Sequence, residues 1–222
     1  MASADGRATL SDLRYALFFT LSGKCGALSV VAKIPRPSGM PIPAFNSHRV
    51  LPPFLGDPTH PGGRSPYPSS MEELVARFAT SPERKDILRG LLDYRQALLH
   101  ELPLTGAIQW LDGSFVEDIE SAEARAPGDI DVLTIAAFPP SSTLSAAQRE
   151  LLDPKRTKPR FRCDAYPLDV ANVKTLSQLL GRITYWFGLF SHRRDGHWKG
   201  LVAVPLDEAE DLRARARLDA LS

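Results

Sequence analysis

The chain has 222 residues, 43% of them hydrophobic and 24% charged. These proportions exclude wholesale disorder and allow one medium domain, or one domain with extensions. Lys and Arg total 27 against 26 Asp and Glu, a net charge of +1, which argues against a polybasic chromatin or membrane-surface protein. No apolar run reaches the roughly 18 residues of a transmembrane helix, and the two cysteines, Cys25 and Cys163, form no CxxC motif. A disulfide scaffold or cysteine-based zinc site is therefore disfavoured, and reduced thiols in the cytoplasm are expected.

Residues 1–39 read as an N-terminal extension. Tyr15 to Leu21 is apolar and preceded by Arg7 and Arg14, in the manner of a signal peptide, but Lys24 soon interrupts it. An extra helix and strand packed on the main domain, or a poorly ordered extension, is the favoured reading. Residues 40–69 read as a proline-rich arm, because ten of the 19 prolines fall between Pro35 and Pro68. Proline fixes φ and lacks an amide hydrogen, so neither a helix nor a central strand is expected there. Phe45, Val50, Leu51, Phe54 and Leu55 supply apolar anchors for an arm lying across the domain surface, and His60 to Arg64 reads as a mobile loop.

The main domain is expected over residues 70–206. Ser70 followed by Glu73 predicts a capping box and a helix to Thr80. Ser81-Pro82 starts a second helix, whose Ile87, Leu88, Leu91, Leu92, Leu98, Leu99 and Leu102 form one apolar face. Strands are predicted at Ala107 to Leu111, Ile130 to Phe138, Arg160 to Tyr166 and Leu201 to Val204, with helices at Leu144 to Leu152 and Val173 to Phe190. Residues 207–222 read as a charged, frayed helical tail. The fold class is α/β (α+β): a small mixed sheet with helices before and after it.

Asp129-Ile130-Asp131 is the sharpest chemical feature. Side chains two apart on a strand share a face, so both carboxylates project together and suit Mg²⁺. Count alone does not single the pair out. About three acid-x-acid triplets are expected by chance in such a composition, and three occur: Asp118/Glu120, Asp129/Asp131 and Glu208/Glu210. Context does. Only Asp129/Asp131 leads into a strongly apolar strand, where unpaired carboxylates are costly to hold. Gly113-Ser114 ends the preceding strand and lets a phosphate approach the backbone. Asp164, alternating with apolar neighbours, offers a third carboxylate, with Asp153 and Asp169 as rivals.

In that order, Gly113-Ser114, Asp129-Ile130-Asp131 and Asp164 resemble the nucleotidyltransferase superfamily typified by DNA polymerase β. The stretches Ile42 to Asn46, Val50 to Pro53, Leu111 to Val116 and Arg194 to Gly200 are similar to an uncharacterised group of small bacterial nucleotidyltransferase-like proteins. The likeness spans Met40 to Leu206. The 14 residues between Ser114 and Asp129 slightly exceed the usual spacing, and residues 1–39 have no counterpart. Met40 directly precedes the similar segment, which raises translation from Met40 as an expectation.

The resemblance implies a small mixed sheet of the nucleotidyltransferase type. It also implies transfer of a nucleoside monophosphate from a nucleoside triphosphate to an acceptor hydroxyl of RNA, protein or a small molecule. Asp129, Asp131 and Asp164 are the implied catalytic and metal-binding residues, with Mg²⁺ or Mn²⁺ as cofactor. Gly113, Ser114 and Lys199 are the implied substrate contacts. The alternative is a non-catalytic protein of this fold that binds a nucleotide or an operon-encoded partner, as in toxin–antitoxin or defence systems. A third reading, metal-dependent phosphoester hydrolysis, lacks the histidines often found beside such acids.

Lys155, Arg156, Lys158, Arg160 and Arg162 form a basic run that guides a phosphate-rich substrate or lies in a solvated loop. His192 and His197 do not have zinc-motif spacing. Tyr185, Trp186 and Phe187 are expected in the core, with base stacking as the alternative. The absence of Gly-x-Ser-x-Gly and of a Walker lysine loop makes a serine hydrolase or P-loop ATPase a poor reading.

Overall fold

A computed structural model describes residues 42–59, 62–104 and 106–221. The readings of residues 1–39, Cys25 among them, and of the His60-Pro61 part of the loop lie outside these residues. The architecture is mixed α+β, with a five-stranded mixed sheet and seven helices among the described residues. In chain order the strands are β1 (Tyr67–Pro68), β2 (Ile108–Asp112), β3 (Ile130–Ala136), β4 (Cys163–Asp169) and β5 (Val202–Pro205). The helices are α1 (Met71–Phe78), α2 (Pro82–Glu101), α3 (Ile119–Glu123), α4 (Ala146–Glu150), α5 (Pro154–Phe161), α6 (Leu176–Phe190) and α7 (Glu208–Asp219). The strand order is β1-β5-β2-β3-β4, with β2 antiparallel to both neighbours and parallel pairing at β1/β5 and β3/β4.

Local chemistry sets the helix starts. Ser70 and Glu73 close the expected capping box on α1, while Ser81 caps α2 with Pro82 in its first turn. The apolar stripe of α2 is buried through Ile87, Leu88, Leu91, Leu92 and Leu98. Gly90 lies where an added Cβ would stand 2.1 Å from the Phe161 carbonyl oxygen, so only glycine lets α2 approach the end of α5 this closely.

Three expectations change. The basic run is the helix α5, started by Asp153, whose side chain accepts from the Lys155 amide, with Pro154 in its first turn. Strand β4 accordingly begins at Cys163 rather than Arg160, after Arg162 turns the chain with φ 56°. The tail is a packed helix, α7, whose Ala214 and Leu218 are fully buried. Its Asp211 accepts from Arg95, a wholly buried side chain on α2 that also donates to Gln109 and the Pro205 carbonyl. The arm is more than a surface strap, because Val50 and Leu51 are fully buried and Tyr67–Pro68 joins the sheet edge. Large apolar side chains at a turn-rich segment gain more from burial than the prolines lose in ladder bonds.

The sheet has two unlike faces. Strand alternation sends Leu111, Ile130, Val132, Cys163, Ala165, Val202 and Val204 into one large core beneath α1, α2, α5 and α7. The other face carries Leu133, Leu168 and Leu201, covered by Ile183, Trp186, Phe187 and Phe190 of α6. That helix is thinly attached. Phe190 is its one buried residue, and Tyr185, expected in the core, is 63% exposed.

Candidate active site

On the face covered by α6, strand register produces cross-strand rows. Asp112 of β2 pairs with Asp131 of β3, and Asp131 pairs with Asp164 of β4. The next rows are Trp110–Leu133–Tyr166 and Ile108–Ile135–Leu168. Helix α6 packs on the apolar rows, with the Trp186 ring 5.0 Å from Tyr166 and the Phe187 ring 6.2 Å from Trp110. The acidic row lies at the end of the sheet where β2 stops at the Gly113 bend.

Asp129, just before β3, adds a fourth carboxylate on the side of Asp131. Lys158 of α5 draws Asp129 and Asp164 together, its Nζ lying 2.5 Å from Asp129 Oδ2 and 3.3 Å from Asp164 Oδ2. Asp131 and Asp164 are thus register partners, and Lys158 ties Asp129 to Asp164. The rivals have other duties. Asp153 caps α5, and Asp169 accepts from the Phe138 and Ala171 amides.

Gly113 is fitted to Asp131. It has φ +84°, and a Cβ built there would stand 2.6 Å from Asp131 Oδ2. A side chain would both strain the backbone and displace the carboxylate. Ser114 follows in a short 3₁₀ turn, Ser114–Val116, which is held from below. Arg84, buried on α2, donates to the carbonyls of Phe115 and Glu117 at 2.7 and 2.6 Å, and pairs with both oxygens of Glu120. The Arg84 bonds hold the Glu120 carboxyl below its ordinary range. The arm holds the other side, since the Asp118 amide donates to the Arg49 carbonyl at 2.9 Å and Arg49 pairs with Asp118. Asp118 and Glu120 are therefore anchors of the site loop. Of the third triplet, Glu210 is buried.

Lys199 is placed differently from the expected phosphate contact. It is 3% exposed and donates to Glu117 Oε1 at 2.6 Å. Its Nζ also lies 3.1 Å from Asp112 Oδ1, an ion pair between two buried side chains. Burial works against the ammonium charge, yet Asp112 and Glu117 outweigh it and hold the lysine pKa above its ordinary value. Lys199 braces the Gly113 bend from beneath the acidic row.

The row is electrostatically loaded. Burial pushes the Asp112 carboxyl up to about 7, against the pull of Lys199. Burial, and then repulsion by Asp129 and Asp164, raises Asp131 to about 6. Tyr166, two residues beyond Asp164 on the same face, rises to about 12 through burial and its bond to Asp164. Lys158 rises to about 12, chiefly through its bond to Asp129. Crowded carboxylates short of positive charge are suited to a hard divalent cation, whose preferred ligands are oxygens. The carboxylate oxygens of the row are donors of that kind. Among the described residues, however, no three His, Cys, Asp or Glu side chains stand ready as a ligand set, and Lys158 holds two of the carboxylates.

Sequence reasoning missed Asp112, Glu117 and Tyr166. Asp112 was visible as the acid beside Gly113, but only strand register places it opposite Asp131. The partners of Lys158 depend on how α5 meets β4, which the basic run by itself does not show.

Residues 43–205, about three quarters of the chain, match the profile of a protein family described as a family of unknown function (DUF6932). No curated protein and no solved structure matches.

Proposed function

We propose, for a chain that belongs to this family of unknown function (DUF6932), that it is a nucleotidyltransferase moving a nucleoside monophosphate from a nucleoside triphosphate to an acceptor hydroxyl. The observation that carries the reading is the register Asp131–Asp164 across β3 and β4, with Asp129 beside it and Gly113 against Asp131. The likeness to the superfamily gives that arrangement its chemistry.

In this reading Asp129, Asp131 and Asp164 would hold Mg²⁺ or Mn²⁺, which would supply positive charge to offset that on the attacking acceptor oxygen and on the leaving pyrophosphate. The chain's own groups do the positioning. Gly113 leaves the α-phosphate room to approach the β2 end, and Ser114 sits where its hydroxyl and neighbouring amides meet the terminal phosphates. Asp164 takes the acceptor proton as the acceptor oxygen bonds to the α-phosphorus. The bond from that phosphorus to the bridging oxygen breaks, and pyrophosphate leaves. Lys199, Glu117 and Arg84 keep the Gly113 bend in place and touch no substrate.

Among the described residues no helix is long and apolar enough to cross a membrane, and we place the protein in the cytoplasm, where nucleoside triphosphates and Mg²⁺ are abundant. The acceptor belongs to RNA, a protein or a small molecule. The Lys158 contacts with Asp129 and Asp164 favour a second reading, in which the same site binds a nucleotide or an operon-encoded partner without catalysis.

Incubation with α-labelled triphosphates and Mg²⁺ or Mn²⁺ separates them. Label transfer by the wild type, lost in Asp129→Ala/Asp131→Ala, supports the enzyme. Tight nucleotide binding without transfer, under any acceptor pool supplied, supports the binding protein and overturns catalysis.

A further inference from the structure

Five cations, Lys155, Arg156, Lys158, Arg160 and Arg162, fall within a stretch that holds no acid, in a chain whose net charge is only +1. Helix α5 turns this run into a surface. Thr157 and Phe161 are its buried side, while Lys155, Arg156, Lys158 and Arg160 are exposed. Lys155 shares the flank of Lys158 one turn earlier, and Arg156 and Arg160, four apart, form a second line. Among the described residues, Lys158 is the one member of the five with a carboxylate partner. Arg160 lies 4.6 Å over the Phe161 ring, and Arg162 donates to the Gly128 carbonyl beside Asp129. Like charges at this spacing repel one another, and a ligand of repeating negative charge would relieve that repulsion.

A second feature continues the same surface. Asp164, held by Lys158, bonds Tyr166, whose ring lies 5.0 Å from Trp186. The Trp186 ring lies 5.3 Å from Tyr185, which is 63% exposed. A continuous line of contacts therefore runs from the basic helix, past the acidic row, to open aromatic rings. Cations beside aromatic rings are the chemistry that holds a single nucleic-acid strand, with phosphates on the charges and bases stacked on the rings. An acidic peptide would use the cations alone, and a duplex keeps its base faces stacked inside. RNA is the nucleic acid whose recognised segments are ordinarily single-stranded.

We infer that single-stranded RNA binds here, with its phosphates on Lys155, Arg156 and Arg160 and a base against Tyr185 and Trp186. That RNA is then the acceptor whose hydroxyl meets Asp164, a role that rests on the nucleotidyltransferase reading, whereas the binding does not.

The test is a fluorescein-labelled single-stranded RNA of about 20 nucleotides, titrated with the full chain in chelator and read by anisotropy between about 50 and 200 mM salt. Wild type is expected to bind. Lys155→Gln/Arg156→Gln/Arg160→Gln is expected to bind at least about tenfold more weakly, with a salt slope shallower by about 2. Tyr185→Ala is expected to lose about fivefold with the slope unchanged, since it removes a stacking surface and no charge. Matched circular dichroism spectra show that the variants are folded. No binding by wild type, or unchanged affinity in either variant, overturns the RNA site. Displacement by polyglutamate as effective as by unlabelled RNA does the same and makes the surface a dock for an acidic protein. With an α-labelled triphosphate and Mn²⁺ added, label on another acceptor but none on the bound RNA overturns the acceptor role and leaves nucleotidyl transfer standing. Label on no acceptor overturns nucleotidyl transfer and leaves the RNA site.

Discussion

The two faces of the sheet are made from the same strands by simple alternation, yet they solve opposite problems. One face is closed by four helices, and its side chains are mostly apolar, with the buried Arg95 paired to Asp211 and Gln109. The other carries an acidic row at one end and is covered elsewhere by a single, largely exposed helix. Stability comes from the first face, where buried area is large and complementary. The second tolerates clustered like charges that lower stability, a pattern typical of sites where ionisable groups are held for chemistry.

That contrast can be broken or sharpened by substitution. The largest effect is expected for Asp131→Asn. Nucleotidyl transfer should fall about a thousandfold or more, equivalent to about 4 kcal/mol of transition-state stabilisation, while the denaturation midpoint at pH 7 stays level or rises because a disfavoured charge is gone. A variant that loses both activity and stability would make Asp131 a structural residue. On the closed face, Leu91→Ala, at a wholly buried position, should cost about 3 kcal/mol in urea denaturation and leave Mn²⁺ binding intact. Gly113→Ala joins the two kinds of effect. Its positive φ and the approach to Asp131 predict a loss of about 1–3 kcal/mol together with weakened Mn²⁺ binding. A neutral result would show that the Gly113 bend does not position Asp131.

A pH profile measured in chelator distinguishes the faces without mutation. Asp112 and Asp131 have folded pKa values raised to about 7 and about 6, so the folded state binds more protons than the unfolded state between their unfolded values and these. Stability must then fall as pH rises from about 5 to 7. The urea midpoint should be higher at pH 5 than at pH 7, and Asp131→Asn should flatten the slope. The smallest effect is expected at Leu180→Ala on the exposed side of α6, where the side chain is 57% exposed and the change should stay within about 0.5 kcal/mol.

Much of the fold was legible because its signals are local. Capping by Ser70 and Ser81, the apolar stripe of α2 and the β-branched run of β3 act within a few residues, and each element formed near its expected bounds. Helix α5 was not legible, because a basic stretch with Pro159 has weak intrinsic helicity and depends on the Asp153 cap and on burial of Thr157 and Phe161. The packing of α7 was hidden for a similar reason, since its charged composition conceals Ala214 and Leu218.

The amino-acid sequence by itself determined which side chains share a strand face, because alternation in a strand is a local geometric fact: Asp129 with Asp131, and Asp164 with Tyr166. Only the tertiary structure decided which strands lie side by side and in what register. That placed Asp112, Asp131 and Asp164 in one row, put Lys158 between two of the acids, and buried Lys199 beneath the Gly113 bend. Register is fixed by the whole set of core contacts at once, and no short stretch of chain encodes it.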